Sequence, residues 1–279
     1  MSTESESDTE VRPGPAGRLL RRPVVWMLVG LAGVGAASIL SLGGPVLGLV
    51  GAAVAVVVYR LVMRHVAGRD TPEITGRTAV PELLFGAVFG ILFIGVSILA
   101  LLTEFSFSRS TGDPVTIVAG MAATSLGAAV TEELLFRGLA LQALERMAGS
   151  GVALAVTALL FGLLHLANPA ATPWSSLAIA VEAGVLLGAA FLWRRSIWFA
   201  VGLHFAWNTA VGLLGIPVSG HAAEGLLVTR PTGPALLTGG AFGLEASIVP
   251  VVVSLLIAVP MLLAAARRGH LVPLRRRAH

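Results

Sequence analysis

Long apolar runs separated by short polar stretches set the pattern of this chain. Eight can be marked: Val24 to Leu42, Val46 to Met63, Leu83 to Leu102, Val115 to about Met147, Val152 to Ala167, Trp174 to Trp193, Ser196 to Leu214 and Ala246 to Ala266. Most are close to the ~20 residues that an α-helix needs to cross a bilayer. Turn formers punctuate them, as at Gly43-Gly44-Pro45 and Asn168-Pro169. The pattern therefore predicts an all-α fold, a polytopic membrane helix bundle with about eight transmembrane helices. The fourth run differs from the others. It carries TEELLFRG, Thr131 to Gly138, in its interior.

Around these runs the chain divides into four regions. Residues 1–17 are polar and acidic, expected as a disordered cytoplasmic tail. Residues 18–114 hold the first three helices, and 115–214 a four-helix core with the candidate chemistry. Residues 215–279 comprise an outer loop rich in Gly, Pro and Thr, the last helix and a basic cytoplasmic tail. The arginines before Val24 resemble a secretory signal, but the run they precede is long enough to remain as a first span.

Composition agrees with the pattern. The chain is 56% hydrophobic and 12% charged, with mean hydropathy +0.87, which excludes an ordinary soluble domain. The net charge of +4 does not form a nucleic-acid stripe, because the arginines flank the apolar runs. With the N-terminus inside, 17 of the 19 basic residues, all arginine, fall on cytoplasmic flanks or cytoplasm-facing helix ends, Arg137 among them; Arg109 and Arg230 do not. By the positive-inside rule both termini are expected in the cytoplasm, the protein lying in a bacterial inner membrane. The absence of cysteine excludes disulfides, thiolate nucleophiles and cysteine-ligated zinc. GxxxG spacings at Gly44/Gly48, Gly86/Gly90 and Gly184/Gly188 permit close helix approach.

Against this background a few side chains stand out. A charge at bilayer depth costs at least ~2.5–3.5 kcal/mol, and TEELLFRG holds three. Glu133 and Arg137 are four residues apart, so they share a helix face and can pair. Glu132 points about 100° away and has no such neighbour. The arginine can thus neutralise one carboxylate and leave the other for chemistry; a surface ion pair at a helix end is the plainer alternative. Further polar residues lie in or beside later spans: His165 in FGLLH, Glu182, His204 and Asn208 in HFAWN, and Glu245. A rise of ~1.5 Å per residue puts Glu132 about 21 Å from Arg146, His165 about 22 Å from Ser150 and His204 about 14 Å from Arg195. Tilt can absorb the difference. One intramembrane site is expected, reached from the cytoplasm through a wet cleft.

A glutamate in an apolar cavity suits general-base work, with a histidine orienting water. His204 and Asn208 can donate hydrogen bonds to an oxyanion. A divalent metal such as zinc, held by His165, His204 and Glu132, is the alternative, although there is no HExxH helix.

Taken together, EELLFR (Glu132, Glu133, Arg137), FGLLH (Phe161, His165) and HFAWN (His204, Asn208) resemble the EExxxR, FxxxH and HxxxN motifs of the CAAX protease and bacteriocin-processing family of intramembrane endopeptidases. The resemblance covers about Val115 to Leu214. It implies hydrolysis of a peptide bond in a membrane-associated peptide or protein. Glu132 would activate water with His165, His204 and Asn208 would bind the oxyanion, and Glu133 and Arg137 would support them. Metal-dependent and metal-free mechanisms are both compatible with it. Glu182 and Glu245 match none of the motifs; Glu245 is expected at the outer mouth of the last span and Glu182 beside a buried partner. A proton-coupled transporter also uses intramembrane Glu, Arg and His, but no repeat relates the two halves of the chain. A non-enzymatic immunity or scaffold protein is the third reading.

Overall fold

The computed structural model of the chain describes residues 15–222 and 224–274. Residues 1–14 of the expected tail, with Arg12, lie outside the described residues, as do Arg275, Arg276 and Arg277. Pro15 to Gly17, also assigned to that tail, open a short helix instead.

The helices are α1 (Pro15–Leu20), α2 (Pro23–Ser38), α3 (Pro45–Leu61), α4 (Gly76–Ala100), α5 (Pro114–Glu133), α6 (Gln142–Ala148), α7 (Ser150–Leu164), α8 (Pro173–Ile179), α9 (Leu186–Arg194), α10 (Ile197–Leu213), α11 (Ala235–Thr238) and α12 (Ile248–Arg267). A π-helical segment, Leu134–Leu141, joins α5 to α6, and another, Ala180–Val185, joins α8 to α9. Each joined set is one continuous rod, Pro114–Ala148 and Pro173–Arg194. Among the described residues seven helices are long and apolar enough to cross a membrane. The remaining predicted span, Ser196 to Leu214, is α10, somewhat shorter at 17 residues. The protein is an all-α polytopic membrane bundle.

Burial orders the helices. In the Pro173–Arg194 rod 83% of the apolar window is buried, against 22–39% in the other six, so this rod is the bundle's axis. α10 runs beside it with Phe199, Leu203 and Trp207 fully enclosed. The outer helices present Val88, Leu92, Leu159, Leu163, Leu256 and Leu263 outward, as lipid-facing surfaces should. Glycine allows the closest approach. A Cβ on Gly86 would lie 2.0 Å from the Phe199 carbonyl oxygen, and one on Gly90 2.4 Å from that of Leu203. These two glycines seat α4 directly on the backbone of α10, so here the GxxxG spacing is a real packing surface.

The two ends of the bundle differ. At the arginine-rich end ion pairs tie the helices together. Arg195 makes a forked pair with Glu145 at 2.6 and 2.8 Å, and Ser150 donates to the same carboxylate at 2.5 Å. Arg194 forks onto Glu82 of α4. Arg69 grips Glu73, which also accepts from Tyr59 at 2.5 Å. At the other end, stretches expected as plain links form an antiparallel ribbon, β1 (Phe105–Arg109) with β2 (Leu227–Pro231), in which Phe107 faces Thr229. Arg109 and Arg230, the two exceptions to the charge pattern, both stand on it.

Candidate active site

Glu132 and Glu133 end α5 where the helix widens into its π segment, a local form often found at functional sites. Glu133 is fully buried. Its Oε1 accepts from Arg137 Nη1 at 2.9 Å and from His204 Nδ1 at 3.0 Å, while Oε2 has no partner among the described residues. Arg137, 2% exposed, spends its other arm on the carbonyls of Ala183 (2.5 Å) and Gly184 (3.3 Å). Those carbonyls belong to the second π segment, where the wider turn leaves backbone oxygens available. Phe136 and Phe161 pack against the guanidinium, 5.9 and 5.1 Å from ring centre to Cζ. Arg137 is therefore an interior residue. It does not sit at a cytoplasm-facing helix end, as its place among the flanking arginines suggested; its position four residues from a buried carboxylate decides otherwise.

The i, i+4 pair leaves Glu132 free, as the helix geometry required. Its side chain is 32% exposed, and its Oε2 lies 4.0 Å from His204 Nε2. His204 is thus held at one nitrogen by Glu133 and turned towards Glu132 with the other. His165 caps the end of α7, its Nδ1 2.7 Å from the Phe161 carbonyl and its ring stacked on Phe161 at 4.5 Å. A carbonyl only accepts, so Nδ1 carries the hydrogen and the neutral ring keeps a lone pair on Nε2. Asn208, one turn beyond His204, is buried with no side-chain hydrogen bond among the described residues.

Glu132, His165, His204 and Asn208 line one cavity of about 960 Å³. Residues from three predicted motifs on three helices are thereby brought to one space. Glu133 and Arg137 stand behind its wall. The cavity follows the half of α5 from Asp113 to Glu132 and meets Ser219, His221 and Glu224, so it opens at the ribbon end. The expected cleft was read from the arginine-rich end, where Arg194 and Arg195 pair with Glu82 and Glu145, and the cavity opens at the opposite one.

Glu245 also lines the cavity, a position that no motif identified. It is buried in a 3₁₀ turn before α12 and accepts from the Ser219 backbone N–H. Burial pushes its carboxyl up to about 7, although the Ser219 hydrogen bond and His204 favour the charged form. Trp174 Nε1 fixes the same turn by donating to the Ala246 carbonyl at 2.7 Å. Glu182 is fully buried, and neither of its carboxylate oxygens has a hydrogen-bond partner among the described residues. The buried partner expected for it is not there.

Residues 114–210 match the family model described as Rce1-like, type II CAAX prenyl endopeptidase Rce1-like. The matched segment, about a third of the chain, is thus similar to the CAAX protease family, in keeping with the three motifs. The match spans the helices that carry all three motifs and indicates a peptidase of the CAAX type at family level. Neither a curated protein nor a solved structure matches the chain. Among the described residues no group of three His, Cys, Asp or Glu side chains is placed to hold a metal ion. Glu132, His165 and His204 share the cavity without forming such a set, so no chemical step here is routed through a metal.

Two outcomes follow from this geometry. Arg137→Ala strands the Glu133 carboxylate in the interior and should cost about 3–5 kcal/mol, read as a large drop in melting temperature in detergent. Arg137→Lys should recover only part of it, lacking the fork that reaches Ala183 and Glu133 together. Glu245, with its raised folded value of about 7, binds its proton more tightly than in the unfolded chain. Stability should therefore fall as pH rises from about 4.5 to 7, by up to about 3 kcal/mol. In Glu245→Gln, pH titration of the melting temperature should show that slope flattened.

Proposed function

We propose that this protein is an intramembrane endopeptidase in which Glu132 activates the attacking water. The observation that carries the reading is the convergence of Glu132, His165, His204 and Asn208 on one cavity. Glu132 is the carboxylate not consumed by Arg137, and it stands where solvent reaches it. It takes the water proton as hydroxide adds to the scissile carbonyl. His165, with an acceptor Nε2, orients that water. Asn208 offers its amide N–H to the developing oxyanion, and His204 offers Nε2–H.

The last assignment carries a proton requirement. The Glu133 carboxylate can only accept, so His204 Nδ1 bears a hydrogen. For Nε2 to donate as well, His204 must be the imidazolium. Its positive charge would then be balanced by Glu132 and Glu133 on either side and would itself face the oxyanion. On collapse of the tetrahedral intermediate, Glu132 returns its proton to the leaving amine. Glu133 and Arg137 orient His204 and touch no substrate.

The substrate is a membrane-associated peptide or protein segment. The site sits in a bacterial inner membrane with both termini cytoplasmic and the ribbon outside, so the cavity receives its substrate from the outer face. The first three helices and the region from residue 215 onward frame the four-helix core.

Glu132→Gln should lower cleavage by at least about 10²-fold, the scale on which general bases act, with the fold retained. Comparing membrane-proteome termini between cells with wild type and Glu132→Gln should reveal new termini only with wild type. The same termini in both would refute the mechanism. Sidedness can be read separately, because the chain has no cysteine. Ser106→Cys on the ribbon should react with an impermeant maleimide in intact cells, and Thr75→Cys only after lysis. The reverse pattern would invert the topology.

A further inference from the structure

The cavity has a length and a charge that the three motifs do not explain. One face of α5 lines it throughout: Asp113, Thr116, Gly120, Thr124, Ala128 and Glu132, spaced three or four residues apart. At ~1.5 Å per residue the wall from Asp113 to Glu132 is about 28 Å long. An extended chain advances ~3.3–3.5 Å per residue, so this length holds about eight residues. The lining carries four carboxylates, with Asp113 and Glu224 exposed at the mouth, Glu245 on the wall and Glu132 at the inner end. Three histidines, His165, His204 and His221, share the space, but no arginine among the described residues lines it. Arg109 and Arg230 stand on the neighbouring ribbon outside the lining. Asn208, more than nine-tenths buried and without a hydrogen-bond partner among the described residues, also lines the cavity near its inner end.

We infer that the cavity is built for an extended peptide segment bearing basic side chains, entered from the ribbon end. This rests on the endopeptidase reading for cleavage but not for binding. A basic side chain passing the mouth meets the exposed carboxylates of Asp113 and Glu224, then Glu132 at the inner end, with Glu245 on the wall as a hydrogen-bonding partner. A peptide led by a free carboxylate or by acidic side chains meets Asp113, Glu224 and Glu132 with repulsion, and no guanidinium among the described residues lines the cavity to receive it. Glu224 contributes through its charge, since it is exposed and fixes no part of the bundle.

The test uses the full chain in lipid nanodiscs, which leave both faces accessible. Two matched decapeptide libraries are offered, one with two fixed arginines and the other with two fixed glutamates. Binding is measured on Glu132→Gln and cleavage on wild type, both by mass spectrometry. Arginine peptides should be retained at least tenfold over glutamate peptides, and Glu224→Lys should weaken that retention about fivefold, the scale of one solvent-exposed charge pair. Asp113→Asn, which removes the charge while keeping a helix-capping side chain, should weaken it in the same direction. Retention of arginine peptides without cleavage by wild type would support the inference and sink the hydrolase reading. Cleavage confined to glutamate peptides would do the opposite. Retention of neither library, or arginine retention unchanged by both mouth variants, would overturn the inference.

Discussion

The bundle depends on one buried ion pair. Glu133 and Arg137 would each be prohibitive alone in an apolar interior, and together they are held within four residues of one helix. What makes the pair tenable is that its remaining hydrogen-bonding capacity is used to connect three rods. Arg137 reaches the backbone of the central rod at Ala183 and Gly184, and Glu133 reaches α10 at His204. The π segments make this possible, since each widened turn either presents a side chain inward or frees a carbonyl to receive one. The cost of burying charge is thereby converted into a fixed relation between α5, the central rod and α10, the relation that any chemistry at Glu132 requires.

Much of this was legible in the chain. The apolar runs located the long helices to within a few residues, apart from α4, because hydropathy alone decides what can face lipid. α4 begins seven residues before its predicted start because Arg77 and Glu82 interrupt the apolar pattern without interrupting the helix, and Glu82 finds its partner in Arg194. That Arg137 pairs with Glu133 and not with Glu132 followed from helix geometry, and the structure has it so. What the pattern could not supply were relations between distant segments. FSFSR and LVTRP are five-residue stretches over a hundred positions apart, and nothing local says that they pair. Glu245 reaches the cavity through an irregular segment of glycine turns, which has no periodicity to read. The direction in which the cavity opens was equally hidden, because depth along a helix is the same measured towards a sealed end or an open one.

The length of α10 has a consequence for the membrane itself. At 17 residues it is about 25 Å long, shorter than the ~30 Å hydrocarbon layer, and its ribbon end continues into turns that wall the cavity. Solvent reaching Glu132 through that opening brings a high dielectric into the bundle, so the insulating part of the protein is little more than the half between Glu132 and the arginine-rich end. A transmembrane voltage then falls mainly across this thin septum, where it is worth about 2.3 kcal/mol per unit charge per 100 mV. The charges standing at its edge, Glu133 and Arg137, are opposite in sign and locked together, so their net coupling to the field nearly cancels. A voltage across such a membrane would therefore exert little net force on the framework that holds the site.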